Sequence, residues 1–155
     1  MQKATRDFIL SILDQAVDLA IATNRPDGWP QATTTSFVHD GLLIYIGVGP
    51  EGQKAQNVAR DKRVSLTFNV PYRSWQEIRG LSMAAEAERV IDQKEMARVI
   101  ELMTKRFGAE MKDLPPLDAN TFMLLRMTPK VISMLDYTKG FGHTDLVEVS
   151  DAELK

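Results

Sequence analysis

The chain contains no cysteine, which excludes disulfides, thiolate metal sites and thiol nucleophiles. Histidine is almost as scarce: His39 and His143 are the only two, too few and too far apart for a typical metal shell. No GxSxG nucleophile turn occurs, so a Ser-His-Asp hydrolase has no support. No apolar run approaches the roughly 20 residues of a membrane span, and the opening MQKATRD is polar and unlike a signal peptide. A soluble, cytoplasmic protein is therefore expected. Charge of one sign is also lacking: 19 basic and 21 acidic residues leave a net −2. Neither nucleic acid nor an anionic membrane is an expected partner.

What is present is ordinary globular material, 44% hydrophobic and 26% charged over 155 residues. That length suits one domain with a sizeable core, expected over about residues 8–143 with a charged tail at 144–155. There is no internal repeat and no low-complexity segment.

Residues 31–59 organise the rest. Residues 31–38 are rich in β-branched and aromatic side chains, His39-Asp40-Gly41 reverses the chain, and 42–47 is a second apolar run, which together predict a hairpin. The second strand runs into Gly49-Pro50-Glu51-Gly52, then Gln53-Lys54 and the helically spaced Ala55, Val58 and Ala59. Two glycines and a lysine opening a helix suit a phosphate: free N–H groups and the helix dipole face the anion, and Lys54 adds a full charge. A lysine at a helix start is ordinarily just solvated, and it is the glycine loop beside it that favours the phosphate role. Residues 47–52 also match GxGxxG, the dinucleotide fingerprint, but that motif belongs to a parallel βαβ unit. The Asp40-Gly41 turn makes this strand antiparallel to the one before it, so a Rossmann site is rejected.

Upstream, Thr5 is placed to cap a helix carrying Phe8, Ile9, Ile12, Leu13 and Ala16 on one side. Residues 19–23 read as a short buried strand, closed by the turn formers at 25–30 into a hairpin with the strand that starts at Gln31. Downstream, residues 63–70 alternate as a half-buried strand, 71–75 interrupt, and 78–91 form a long strand in which Gly80, Ala84, Ala85 and Ala87 mark a close approach by backbone, ligand or subunit. Asp92 opens a capping box with Glu95 before the apolar spacing of Met96, Val99, Ile100, Met103 and Phe107. Residues 108–120 read as a loop containing Pro115-Pro116. Residues 121–127 and 130–137 read as two strands parted by Thr128-Pro129, and 150–155 as a frayed end. Trp29 and Trp75 are expected to pack the core or a dimer interface, His39 to be exposed, and His143 to line a pocket or lie in a mobile tail. The pattern predicts an α+β, mainly β fold: a six- to seven-stranded antiparallel split β-barrel with peripheral helices.

In order and spacing, the segments 19–23 with Asp27-Gly28-Trp29-Pro30, 49–58, 63–66, 78–82 and 87–90 resemble the FMN-binding split β-barrels related to pyridoxamine 5′-phosphate oxidase. The resemblance spans roughly residues 8–143. It implies a homodimer with two FMN sites at the subunit interface, to which exposed edge strands add independent plausibility. It places Thr33, Thr34, Thr35, Ser36 and Phe37 along the flavin ring, with Ile46 and Gly47 near it. Gly52, Gln53 and Lys54 fall at the phosphate, and Gly80, Ser82 and residues 135–137 approach the flavin, some from the partner chain. Where the oxidase carries an arginine early in the flavin strand and a lysine at its end, this chain has Ala32 and Phe37. The Arg-x-His signature near the oxidase's C-terminus is likewise absent. The resemblance therefore implies an FMN-dependent oxidoreductase that is not a true pyridoxamine phosphate oxidase. The alternative is a non-catalytic barrel that stores or senses FMN, the deazaflavin F420 or haem.

Overall fold

A computed structural model describes residues 1–113 and 121–155. The elements run α1 (Lys3–Gln15), β1 (Leu19–Asn24), β2 (Pro30–Thr35), β3 (Val38–Asp40), β4 (Leu43–Val48), α2 (Gln53–Arg60), β5 (Arg63–Asn69), β6 (Arg79–Arg89), α3 (Gln93–Phe107), β7 (Met123–Asp136) and β8 (Thr144–Glu148). All strand pairs are antiparallel, in the order β2-β1-β5-β6-β7-β4-β3, with β8 added to β7.

Connectivity forces this sheet to curl. Its two outermost strands, β2 and β3, are separated in sequence only by Ser36 and Phe37. Two residues span at most about 7–10 Å, so the far edges of the ladder must come together. No hydrogen-bonded ladder joins β2 to β3 or β4, and the barrel closes through the chain but stays split along one seam.

Alternation sets the two faces. Along β5, Val64, Leu66 and Phe68 are buried while Arg63, Ser65, Thr67 and Asn69 are exposed. The inward row continues as Ile21, Leu66, Met83 and Ile132 across β1, β5, β6 and β7. α1 lays Ile9, Ile12 and Leu13 onto that core. Its C-terminal turn is held by α3: the Arg106 guanidinium donates to the Ala16 carbonyl and lies 4.5 Å from the centroid of the buried Phe37 ring. Arg106→Ala removes that cap and the cation–π contact together, and should lower unfolding free energy in urea by about 2–3 kcal/mol. A loss below about 0.5 kcal/mol would show the contact to be incidental.

The split barrel forms as expected, but with eight strands among the described residues rather than six or seven, because β8 adds to β7. The stretch 31–38 breaks at Ser36-Phe37 into β2 and β3, because it changes partner from β1 to β4. Thr128-Pro129 does not separate two strands. β7 is continuous and absorbs the proline at a bulge, where Ala84 faces Val131 and Ala85 faces Pro129. The end of the chain is not frayed: β8 pairs with β7, Leu42 N–H donates to the Leu154 carbonyl at 2.8 Å, and Arg6 donates to the Glu153 carbonyl. Thr5 lies inside α1, whose N-cap is Gln2. The capping box before α3 is only half formed. Asp92 accepts from Glu95 N–H, but the Glu95 carboxylate turns inward to the buried Tyr45 hydroxyl at 2.9 Å and to Arg126 at 3.1 Å. Burial and that carboxylate hold the Tyr45 proton well above the ordinary tyrosine range. Trp29 and Trp75 are 73% and 68% exposed, outside the core, because both sit on connecting segments. Pro115-Pro116 lies outside the described residues.

Candidate functional site

The seam of the barrel is where the sequence places a ligand. β4 is paired along its whole length with β7, but β3 covers it only from Leu43 to Tyr45. The β3-side edge of Ile46, Gly47 and Val48 therefore has no strand partner among the described residues. β2 forms the other lip, and α2 closes the end, entered from β4 through the turn in which Gly52 N–H donates to the Gly49 carbonyl at 3.0 Å. Thr33–Phe37, Ile46, Gly47, Gly52, Gln53 and Lys54 are thus all borne by elements flanking one seam.

One buried side chain ties α2 to the β2 lip. Asn57 is fully buried; its Nδ2 donates to Thr23 Oγ1 at 2.9 Å and to Gln31 Oε1 at 3.3 Å, while its Oδ1 accepts from Gln53 Nε2 at 2.8 Å. Both amide donors and the carbonyl are used, so the helix start is fixed against the first residues of β2. Asn57 belongs to no motif that the sequence alone singles out. The signal was there, a polar residue among the inward-facing Ala55 and Val58.

The start of α2 has no side-chain cap on its first-turn N–H groups, and its N-cap is Gly52. Lys54 is half-buried and pairs with no carboxylate among the described residues. Burial pushes its ammonium below the usual lysine pKa. Two residues along β2 from Gln31, Thr33 Oγ1 is buried without a hydrogen-bond partner among the described residues.

Other anticipated residues are placed differently. The side chains of Phe37 and Ile46 belong to the core, at 1% and 0% exposure, so only their backbone faces the seam. Gly47 makes room for Phe122, whose ring would lie 2.2 Å from an added Cβ, and Gly80 for the Phe68 carbonyl and Asn69 across the β5 ladder. Thr34 and Ser36 are exposed, while Thr33 and Thr35 turn to the other face. Gly80 and Ser82 lie on β6, three strands from β2 in the order β2-β1-β5-β6 and so roughly 14 Å across the sheet. Ser82 instead joins an outer row, Thr34, Ala20, Thr67, Ser82 and Ser133, with Ala32, Ala22, Ser65 and Ala84 beside it. That face is made of small side chains.

The antiparallel ladders on both sides of β4 confirm that the GxGxxG match is not a dinucleotide site. His39 is only partly exposed, bonding the Gly41 carbonyl and Asp14, and His143 bonds Asp145 at 2.9 Å. Among the described residues no group of three His, Cys, Asp or Glu could hold a metal, and no helix is long and apolar enough to cross a membrane.

A sequence model of the family described as pyridoxamine 5′-phosphate oxidase matches residues 3–136. No curated protein matches the chain. Among solved structures, a haem-binding protein from Mycobacterium smegmatis superposes with a TM-score of 0.79 at 17% identity, covering 96% of this chain; the chain spans only 59% of that protein. A candidate pyridoxamine 5′-phosphate oxidase from Listeria innocua is 26% identical, with a TM-score of 0.67 over 85% of this chain and 98% of its own. The conserved hypothetical protein Rv2991 of Mycobacterium tuberculosis is 24% identical, with a TM-score of 0.75 over 98% and 94%. At 17% and 24% identity the likeness is one of fold.

Proposed function

The chain belongs to the pyridoxamine 5′-phosphate oxidase family, and on that premise we propose that it is a cytoplasmic, homodimeric FMN-binding protein, its flavin serving an oxidoreduction other than that of pyridoxamine phosphate. The observation that carries this reading is Lys54, half-buried at the uncapped start of α2 with no carboxylate partner among the described residues. A phosphate there would meet the ammonium and the first-turn N–H groups. The Thr33 hydroxyl, buried and unpartnered, would donate to or accept from the flavin lying along β2.

Bound FMN would supply the hydride or electron transfer. The chain's own residues bind and orient: Lys54 holds the phosphate, Asn57 fixes the helix that carries it, and the β2 lip excludes water from one side. A second copy fits the outer face, whose small residues, from Ala20 and Ala22 to Ser82 and Ala84, allow close approach. Such a dimer would bring the partner's Ser82 face toward the seam. Ala32 leaves the cofactor phosphate one cation fewer than in the oxidase, and Phe37 supplies none for a phosphorylated substrate, which supports a different substrate.

The test is the visible spectrum of the purified dimer after incubation with FMN and gel filtration. Retained flavin bands support the proposal. Loss of all flavin, with a Soret band on addition of haem or retained F420, would move the assignment to those occupants.

A further inference from the structure

Two large aromatic side chains stand out from the surface beside each other. Trp75 is 68% exposed and Phe141 81%, and their ring centroids lie 6.0 Å apart. Both are held out by hydrogen-bonded turns. Gly140 and Gly142, at positive φ, flank Phe141, and the turn is closed by His143 N–H on the Gly140 carbonyl and Asp136 N–H on the His143 carbonyl. Trp75 opens a 3-10 turn closed by Ile78 N–H on its carbonyl at 3.2 Å, and Tyr137 N–H ties the two segments together through the Ile78 carbonyl. Aromatic rings positioned in advance in this way are suited to contact with another molecule. Neither residue belongs to the stretches that the family resemblance sets along the flavin.

The sheet shows where that contact falls. Its two outward rows of small residues run on over β7 and β8, through Ser133 to Leu146 and through Val131 to Glu148, and Glu148 is the one charged residue in either. Charges gather at one end of this face, where Lys62 and Lys130 pair with Glu86 and Arg63 pairs with Asp61. The aromatic pair stands at the opposite end, on the connections from Asn69 to Arg79 and from Asp136 to Thr144. The register makes that the Ser36 end of β2, where the flavin ring is assigned. A second copy meeting this face about a two-fold axis along the strands sets like end on like end, with β2 of one copy opposite β8 of the other. An axis across the strands would press the aromatic rings onto the ion pairs and strip those charges of water.

Resting on the FMN reading, we propose that the flavin site is completed in trans: Trp75 and Phe141 of one protomer close over the ring borne on β2 of its partner.

Complementation tests it in the full-length dimer. Lys54→Met lacks the phosphate cation and keeps the aromatic pair; Trp75→Ala with Phe141→Ala lacks the pair and keeps the lysine. Each alone should bind FMN at least about tenfold more weakly than the parent, and the aromatic variant should keep the parent's circular dichroism because both side chains are largely exposed. Co-expressed with different tags and purified as the mixed dimer, the two should regain one parent-like FMN site per dimer, built from the lysine of one chain and the aromatics of the other. In Trp29→Phe, Trp75 is the remaining tryptophan, and FMN should quench its fluorescence. A mixed dimer without a tight site, an aromatic variant that binds FMN as the parent does, unquenched Trp75 or a monomeric parent would overturn the proposal while leaving FMN binding intact. A parent that binds no FMN would overturn both.

Discussion

Replacing Asn57 with leucine should both loosen the fold and abolish selective recognition of the flavin phosphate. The buried amide makes three hydrogen bonds to Thr23, Gln31 and Gln53. Leucine fills a similar volume and makes none, which leaves the Thr23 hydroxyl, itself 2% exposed, without its donor. Orphaning buried polar partners costs about 1–3 kcal/mol each, so a total of about 2–4 kcal/mol is expected, or roughly 5–15 °C in the thermal midpoint for a chain of this size. Stability loss alone would not distinguish a positioning role. The diagnostic readout is ligand preference in the fraction that stays folded: with α2 no longer pinned to β2, FMN and riboflavin should bind with similar, weak affinity. A destabilised variant that still prefers FMN as strongly as the parent would make Asn57 purely structural.

Substituting Lys54 with methionine should move stability and binding in opposite directions. The ammonium is pushed down in pKa by burial, so in the flavin-free protein the folded state binds its proton less tightly than the unfolded chain. That penalty is fully present below the folded-state pKa and is relieved as pH rises through it. Methionine keeps the apolar stem and removes the charge, so the flavin-free thermal midpoint near neutral pH should rise, by about 1–3 °C. The gain should shrink at alkaline pH, where the parent lysine also loses its charge. FMN affinity should meanwhile fall about 10- to 100-fold, the weight of a charge-assisted phosphate contact. A midpoint that falls, or FMN affinity that is unchanged, would mean Lys54 is a solvated surface lysine.

Much of this arrangement could be read from the residues because the informative patterns are local. Alternation in 63–69, turn chemistry at Asp27-Gly28 and Asp40-Gly41, and the glycine loop before Lys54 each reflect a short-range rule, and each element appears where expected. What escaped reading depends on pairing at long range. The break at Ser36-Phe37 exists because the chain must leave β1 for β4, which no local propensity encodes. Pro129 looked like a strand end, and only the bulge opposite Ala84 and Ala85 lets β7 continue past it. The charged C-terminal residues gain order from Leu42 and Arg6, both more than 100 positions away in sequence. Within the candidate site, Gly80 suggested close approach and the resemblance put Gly47 near the flavin ring; something does approach each, but it is Phe122 at Gly47 and the Phe68 carbonyl and Asn69 of β5 at Gly80. A glycine reports that space is needed, not what takes it.

The central claim, that the start of α2 holds a flavin phosphate, is tested most directly by titrating the protein with FMN and with riboflavin, which share the ring and differ by the phosphate. FMN should bind at least about tenfold more tightly than riboflavin, a difference that disappears in Lys54→Met. Equal affinities in the parent protein, or a preference for FMN that survives loss of the lysine, would contradict it.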